Sequence, residues 1–251
     1  MAAETAIPTV PLMTRRDNGV DPFIRVLSSL LGRQDENSVA PFALLSLRYP
    51  RATMLLMSDQ SNNKFVEATK GRNPISLLVE AVSLLGSDKG VALDLGCGAG
   101  VDVKYLADNG FEVVAIDINK EAVEETKKKC EGFSATVIQG DVADFKIEPD
   151  KYSVIMAWNT LPFLSKENAR RVLIDIQIGL KKGGLFVFGM FGPEDEWAKD
   201  HPKMSFWTVD EIKELLPEMD FVKLNEIKKE GPLAVGGNKF WHKIQGIARL
   251  G

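Results

Sequence analysis

The chain predicts an α/β fold: a doubly wound, mostly parallel seven-stranded sheet closed by an antiparallel C-terminal hairpin, with an N-terminal extension ahead of it. Three observations carry this prediction. Short apolar runs rich in Val, Ile and Phe alternate with helix-patterned segments from residue 73 onward, the pattern of a parallel sheet covered on both faces. The stretch LDLGCGAGVD (93–102) places three glycines directly after the first of these runs. The last two runs have no helix between them, so they pair as a hairpin.

Taken in order, Asn73 is positioned to cap a helix, Pro74 suits its first turn, SLLVEAVSLL supplies its apolar face and Gly86 ends it. VALDL (91–95) reads as the first buried strand, and VDVKYLADN as a helix stopped at Gly110. FEVVAID (111–117) is the second strand, and KEAVEETKKKC the helix after it. Its KKK run (127–129) suits the negative end of the helix dipole. SATVIQGD (134–141) and YSVIMAWN (152–159) are the third and fourth strands. Ser165 caps a helix running to about Leu180, and GLFVFGMF (184–191) is the fifth strand. Thr208 and Glu211 have capping-box spacing before IKELL. DFVKLNEIKK and FWHKIQGIARL are the closing hairpin.

The chain has 251 residues, 45% of them hydrophobic, and a net charge of −4, which gives no broad cationic surface for nucleic acid. No uninterrupted apolar stretch is long enough for a membrane span, and the start lacks the pattern of a secretory signal. Only two cysteines (Cys97, Cys130) and two histidines (His201, His242) are present, so neither a disulfide scaffold nor a zinc site is expected, and a cytoplasmic location is. Residues 1–60 contain six Arg and no Lys, whereas 61–251 contain four Arg and twenty-one Lys. That step separates an extension (1–60) from a main domain (61–251). The extension is either a pair of short helices packed on the domain or a lid or dimer contact, and its apolar stretches argue against disorder.

In an open parallel sheet, ligands bind at the carboxyl ends of the strands. The loop there carries Gly96, Gly98 and Gly100 as G-x-G-x-G rather than the G-x-G-x-x-G of dinucleotide sites, and Val101 and Asp102 stand where a P-loop needs Lys and Ser or Thr. Asp94 would be a poor neighbour for a pyrophosphate but a good one for a cationic ligand. S-adenosyl-L-methionine carries an ammonium, a sulfonium and no phosphate. Asp117 ends the second strand, where a carboxylate accepts ribose hydroxyls, and Asp141 ends the third, with Val142 beside it for adenine.

VALDLGCGAG, FEVVAIDIN, VIQGDVADF, YSVIMAWNTLPFL and GLKKGGLFVFGMF together resemble the ordered motifs of class I S-adenosylmethionine-dependent methyltransferases, over roughly residues 73–191. Within that superfamily, IDIQIGLKKGGLFVF and SFWTVDEIKELLPEMDFVKLNEI are similar to the small methyltransferases related to the tellurite-resistance protein TehB. The resemblance implies a Rossmann-like fold and S-adenosyl-L-methionine as cofactor. It implies that Asp94 lies near the ammonium and that Gly96, Cys97, Gly98 and Gly100 line the methionine and ribose. Asp117 and Ile118 then hold the ribose, Asp141 and Val142 the adenine, and Trp158 and Asn159 form a wall.

On the acceptor side, Asn159, Phe163, Phe191, Trp197 and His242 are the pocket candidates. NTLPF (159–163) compares only loosely with the N-P-P-Y/F amine clamp, so Asn159 is read either as a clamp or as a loop cap. Trp197, Phe206 and Trp207 are pocket or core, Cys97 is a small filler without a nearby base, His201 belongs to a surface loop, and His242 is either a satisfied core histidine or a site residue. The absence of an evident general-base pair favours an acceptor that is already nucleophilic. The expected function is methyl transfer to a small molecule by a monomer or homodimer, without nucleic-acid, membrane or metal partners. The alternatives are a protein or RNA methyltransferase that docks through residues 1–60, and a noncatalytic cofactor-binding protein.

Overall fold

The computed structural model describes residues 59–87 and 89–251. The reading of residues 1–60 as a packed, lid or interface segment therefore falls almost wholly outside the described residues. The described chain begins with α1 (Asp59–Thr69) and α2 (Ser76–Leu84). The alternation follows: β1 (Val91–Leu95), α3 (Val101–Asp108), β2 (Glu112–Asp117), α4 (Lys120–Lys129), β3 (Ala135–Gln139), β4 (Tyr152–Trp158), α5 (Lys166–Gly179) and β5 (Leu180–Phe191). It closes with α6 (Trp197–Asp200), α7 (Val209–Leu215), β6 (Met219–Pro232) and β7 (Asn238–Leu250). The strands form one seven-stranded sheet in the order β3-β2-β1-β4-β5-β7-β6. β7 runs antiparallel to both β5 and β6, and every other pairing is parallel. Strand order reverses beside β1, so the β1 and β4 ends open the crevice where ligands bind in this architecture.

Each strand sends alternate side chains to opposite faces. Leu93, Leu95, Ile155, Ala157, Phe186, Phe188 and Met190 pack with α5 and α7 on one face. Ala92, Val113, Ala115, Val154, Met156, Leu185 and Val187 pack with α2 and α3 on the other. β3 is an edge strand none of whose residues is fully buried.

Four elements depart from expectation. Asn73 does not cap α2. The helix begins two residues later, and its first orphan amide is met by a distant group: Ile75 N–H donates to Asp102 Oδ1 at 2.9 Å. β5 starts at Leu180 rather than Gly184, because Leu180 already pairs with Tyr152. The register then shifts through a turn in which Gly183 adopts φ +77°, before Leu185 resumes opposite Val154. β6 and β7 extend beyond the expected hairpin, since Lys239 and Pro232 stay in the ladder. The Ser165 cap and the Thr208–Glu211 capping box form as read.

Candidate cofactor and acceptor site

The loop after β1 turns through three left-handed residues, with φ +83° at Gly96, +52° at Gly98 and +70° at Gly100. The Gly96 and Cys97 amides both donate to the Ile116 carbonyl, at 2.8 and 3.1 Å, which fastens the loop to the end of β2. Thr126 of α4 supports it from behind, donating to Gly98 O at 3.0 Å. A Cβ at Gly96 would run into the Thr160 side chain, and one at Gly100 would lie 2.8 Å from Thr126 Cα. A Cβ at Gly98 meets only Phe65 of α1, at 4.0 Å. Gly98 thus leaves an open approach, whereas Gly96 and Gly100 serve close packing.

Asp94 is 2% exposed, and among the described residues no hydrogen bond reaches its carboxylate. Burial pushes this carboxyl well above the ordinary range; the Asp102 and Asp117 charges add to that, and Arg72 opposes it. A cation placed beside it would favour its ionised form. Asp117 Oδ2 accepts from Gly98 N–H and Oδ1 from Asn119 N–H, both at 2.8 Å, so each oxygen is aimed by the backbone and keeps a lone pair for a ligand hydroxyl. Burial raises the Asp117 carboxyl, against these amide bonds. Ile118 is half-buried beside it. Asp141 caps the short turn Val142–Asp144, accepting from Ala143 N–H at 2.8 Å. The Val142 side chain packs into the core, so its isopropyl group is not available to a ligand. Cys97 is buried against Thr126, and burial next to Asp94 and Asp117 pushes the thiol up, as befits a filler. These residues suit S-adenosylmethionine: an unpaired carboxylate for its ammonium, an oriented one for its ribose, and an open glycine between them.

Trp158, expected as a wall beside the methionine portion, is half-buried on the same face as Asp94. Asn159 takes φ +55°, and its buried Oδ1 has no partner among the described residues. It does not cap the turn Leu161–Phe163, which begins from Thr160 without a side-chain cap. Phe163, Phe191 and Trp197 meet with ring centroids 5.8–6.3 Å apart. Trp241 joins them, 5.5 Å from Phe191 and 5.6 Å from Trp197. Trp207 is fully buried core, with Lys166 over its ring, and not part of this cluster. His201 is exposed and rests edge-on against Trp197. His242 is buried with both ring nitrogens engaged: Nδ1 accepts from Glu194 N–H at 3.1 Å, leaving Nε2–H to donate to Glu226 at 2.8 Å. It pins the segment after β5 to the hairpin and stands outside the ring cluster.

The sequence reading missed the charges around these rings. Lys239 is 2% exposed, ion-paired to the fully buried Asp195, and lies 3.9–5.3 Å from the Trp241, Trp197 and Phe191 centroids. Asp195 also accepts from the Trp197 and His242 amides, at 3.1 Å each. Lys243 lies 3.8 Å over the Trp241 ring. The alternation in KFWHK (239–243), which puts Lys239, Trp241 and Lys243 on one face, was the available signal.

This loop, its acids at successive strand ends and the sheet order resemble those of class I S-adenosylmethionine-dependent methyltransferase domains, whose cofactor is S-adenosylmethionine. The family model described as "Methyltransferase domain" matches residues 92–184. Among curated proteins, the cypemycin N-terminal methyltransferase of a Streptomyces species is 33% identical over 99 residues, 39% of this chain and 40% of that protein. A carboxy-S-adenosyl-L-methionine synthase of Vibrio parahaemolyticus is 30% identical over 116 residues, 43% of this chain and 46% of that protein. The chain spans less than half the length of these relatives. Among solved structures, TehB from Haemophilus influenzae superposes with TM-score 0.58 at 21% identity, over 69% of this chain and 61% of that one. The N-methyltransferase NodS from Bradyrhizobium japonicum, in complex with S-adenosyl-L-homocysteine, gives 0.55 at 17% identity, over 76% and 97%. These two likenesses establish the fold.

Proposed function

We propose that the protein transfers a methyl group from S-adenosylmethionine to a small-molecule acceptor by in-line displacement. The observation that carries this reading is Asp94, a buried carboxylate without a hydrogen-bond partner among the described residues, beside the open Gly98 in a methyltransferase domain. When bound, the cofactor supplies the activated methyl on its sulfonium; the chain's own groups supply position and shielding. Asp94 receives the ammonium, Asp117 the ribose, and Asp141 with the Val142 backbone the adenine. Trp158 and Asn159 bound the methionine portion, and Phe163, Phe191 and Trp197 exclude water on the side from which the acceptor attacks.

Neither nitrogen of His242 is free to take a proton, which favours an acceptor atom that arrives nucleophilic, such as a thiolate. The ring-lined wall suits a metabolite better than a folded macromolecule. A monomer or homodimer in the cytoplasm, with residues 1–60 as lid or interface, completes the reading. The similarity to a carboxy-S-adenosyl-L-methionine synthase supports a second reading, in which the cofactor is itself modified and no methyl leaves it.

The experiment is calorimetric titration with S-adenosylhomocysteine, followed by incubation with methyl-labelled S-adenosylmethionine and fractionated metabolite and macromolecule pools. Binding with label in the metabolite fraction is expected. No binding overturns the cofactor assignment, and label confined to RNA or protein overturns the small-molecule acceptor.

A further inference from the structure

Across the sheet from β1, the upper ends of β5 and β7 carry Phe191 and Lys243, paired directly across the antiparallel ladder. Residues opposite each other in a ladder share a face, so both stand on the face that carries Asp94 and Trp158. Trp241 precedes Lys243 on that face, and its ring lies between two ammonium groups, Lys239 and Lys243, at 3.9 and 3.8 Å.

The two lysines are in different states. Lys239 is neutralised by Asp195 and sealed beneath the rings, where it holds Phe191, Trp197 and Trp241 together. Lys243 is half-buried, and among the described residues no carboxylate lies within ion-pair distance of it. Its surroundings make it a less comfortable cation: burial and the Lys239 charge both push its ammonium below the ordinary range, with Lys229 adding and Asp195 opposing. A desolvated, uncompensated cation beside an aromatic wall is matched by an anion that brings its own apolar body.

We propose that Lys243 is the acceptor-recognition residue of this site and that the acceptor carries a carboxylate or comparable anionic group on an aromatic or otherwise flat apolar body. This deepens the methyl-transfer reading and rests on it for the identity of the reacting end. The geometry also sets a length. The methyl donor faces the β1 and β4 ends, and Lys243 lies two strands beyond β4. Neighbouring strands are about 4.8 Å apart, so the anionic group sits about 10 Å from the atom that takes the methyl, less the reach of the lysine side chain. The acceptor body between them lies along Phe163 and Phe191, and its anion lies next to Trp241.

The test uses the full chain saturated with S-adenosylhomocysteine and two matched probes, 4-(methylthio)benzoate and 4-(methylthio)benzamide, each a stand-in for a methylated product. Binding is read by calorimetric titration. The expected result is at least tenfold tighter binding of the carboxylate, with that preference abolished in Lys243→Met and retained in Lys243→Arg. Equal affinities in the native chain, binding of neither probe, or a preference that persists in Lys243→Met would overturn the proposal. Titrating S-adenosylhomocysteine alone keeps the two readings separate. If it does not bind, the methyl-transfer reading falls, and the same probe pair on the unsaturated chain still reports whether Lys243 selects an anion. If it binds equally well to native chain and Lys243→Met, a lost probe preference belongs to the acceptor side.

Discussion

Asp94 and the loop glycines show how single residues divide the work of fold and ligand. Asp94 ionises less readily in the fold than in the unfolded chain, where a carboxyl titrates near 4. Its ionisation therefore opposes folding. That opposition is absent below the unfolded value and grows as pH rises through the window up to the raised folded value. Asp94→Asn should thus raise the melting temperature of the ligand-free protein at neutral pH, and scanning calorimetry should show the gain shrinking as pH falls toward 4. The same variant should bind S-adenosylhomocysteine ten- to a hundredfold more weakly, because a hydrogen bond to a charged group contributes about 1.5–3 kcal/mol. Gly96 and Gly98 separate in the opposite sense. An alanine at either must hold a left-handed φ, at about 1–2 kcal/mol. Only at Gly96 does it also meet a buried side chain, adding about 1–3 kcal/mol of overpacking. Denaturant titration should find Gly96→Ala much the less stable, while Gly98→Ala folds and loses cofactor affinity. At this scale the placing of the acids and glycines at strand ends was legible, because each follows an apolar run directly. Thr126 and Thr160 were not, because nothing local marks a threonine that abuts a glycine 26 or 64 residues earlier.

Helix α2 depends on a neighbour that its own sequence does not reveal. Asp102, in the first turn of α3, is 2% exposed, pairs with Arg72 and accepts the Ile75 amide. One carboxylate thus caps α2, neutralises Arg72 and anchors both elements behind the glycine loop. Removing the guanidinium leaves that carboxylate buried with an amide alone. Breaking a buried pair costs about 3–5 kcal/mol, and the partial exposure of Arg72 places Arg72→Met near the lower end. Urea unfolding should report a loss of about 3 kcal/mol, and a loss under 1 kcal/mol would show that water replaces the partner. The Asn73 reading failed here for a physical reason: a helix amide is satisfied by any acceptor in reach, and tertiary structure supplied one 27 residues away. The capping box at Thr208 was legible because both of its partners lie within four residues.

At the scale of the molecule, the two halves of the site come from different stretches of chain. In the proposed reading, Asp94 to Asn159 builds the donor side, and Asn159 to Lys243 the acceptor side. The strand alternation makes the first stretch readable, since each functional residue follows its strand directly. The second is closed by pairings across some 50 residues, such as Asp195 with Lys239 and Glu194 with His242, that no local pattern announces. This division predicts separable kinetics. Phe191→Leu keeps an apolar side chain but removes ring contacts of about 0.5–1.5 kcal/mol each with Phe163, Trp197 and Trp241. With an acceptor in hand, kcat/KM should fall about tenfold while S-adenosylhomocysteine affinity stays within about twofold. Equal losses in both would mean that the ring cluster supports the donor side instead.

The Asp195–Lys239 pair has a thermodynamic consequence. Because that ammonium already gathers Phe191, Trp197 and Trp241 around itself, an acceptor bound where we propose would meet rings whose positions are set beforehand. Immobilising a mobile side chain at an interface costs about 0.5–1.5 kcal/mol, and here that ordering belongs to folding. Acceptor association should therefore carry a small conformational-entropy penalty, and its selectivity should rest on the rigidity of a wall held together from within by a charge that never touches the guest.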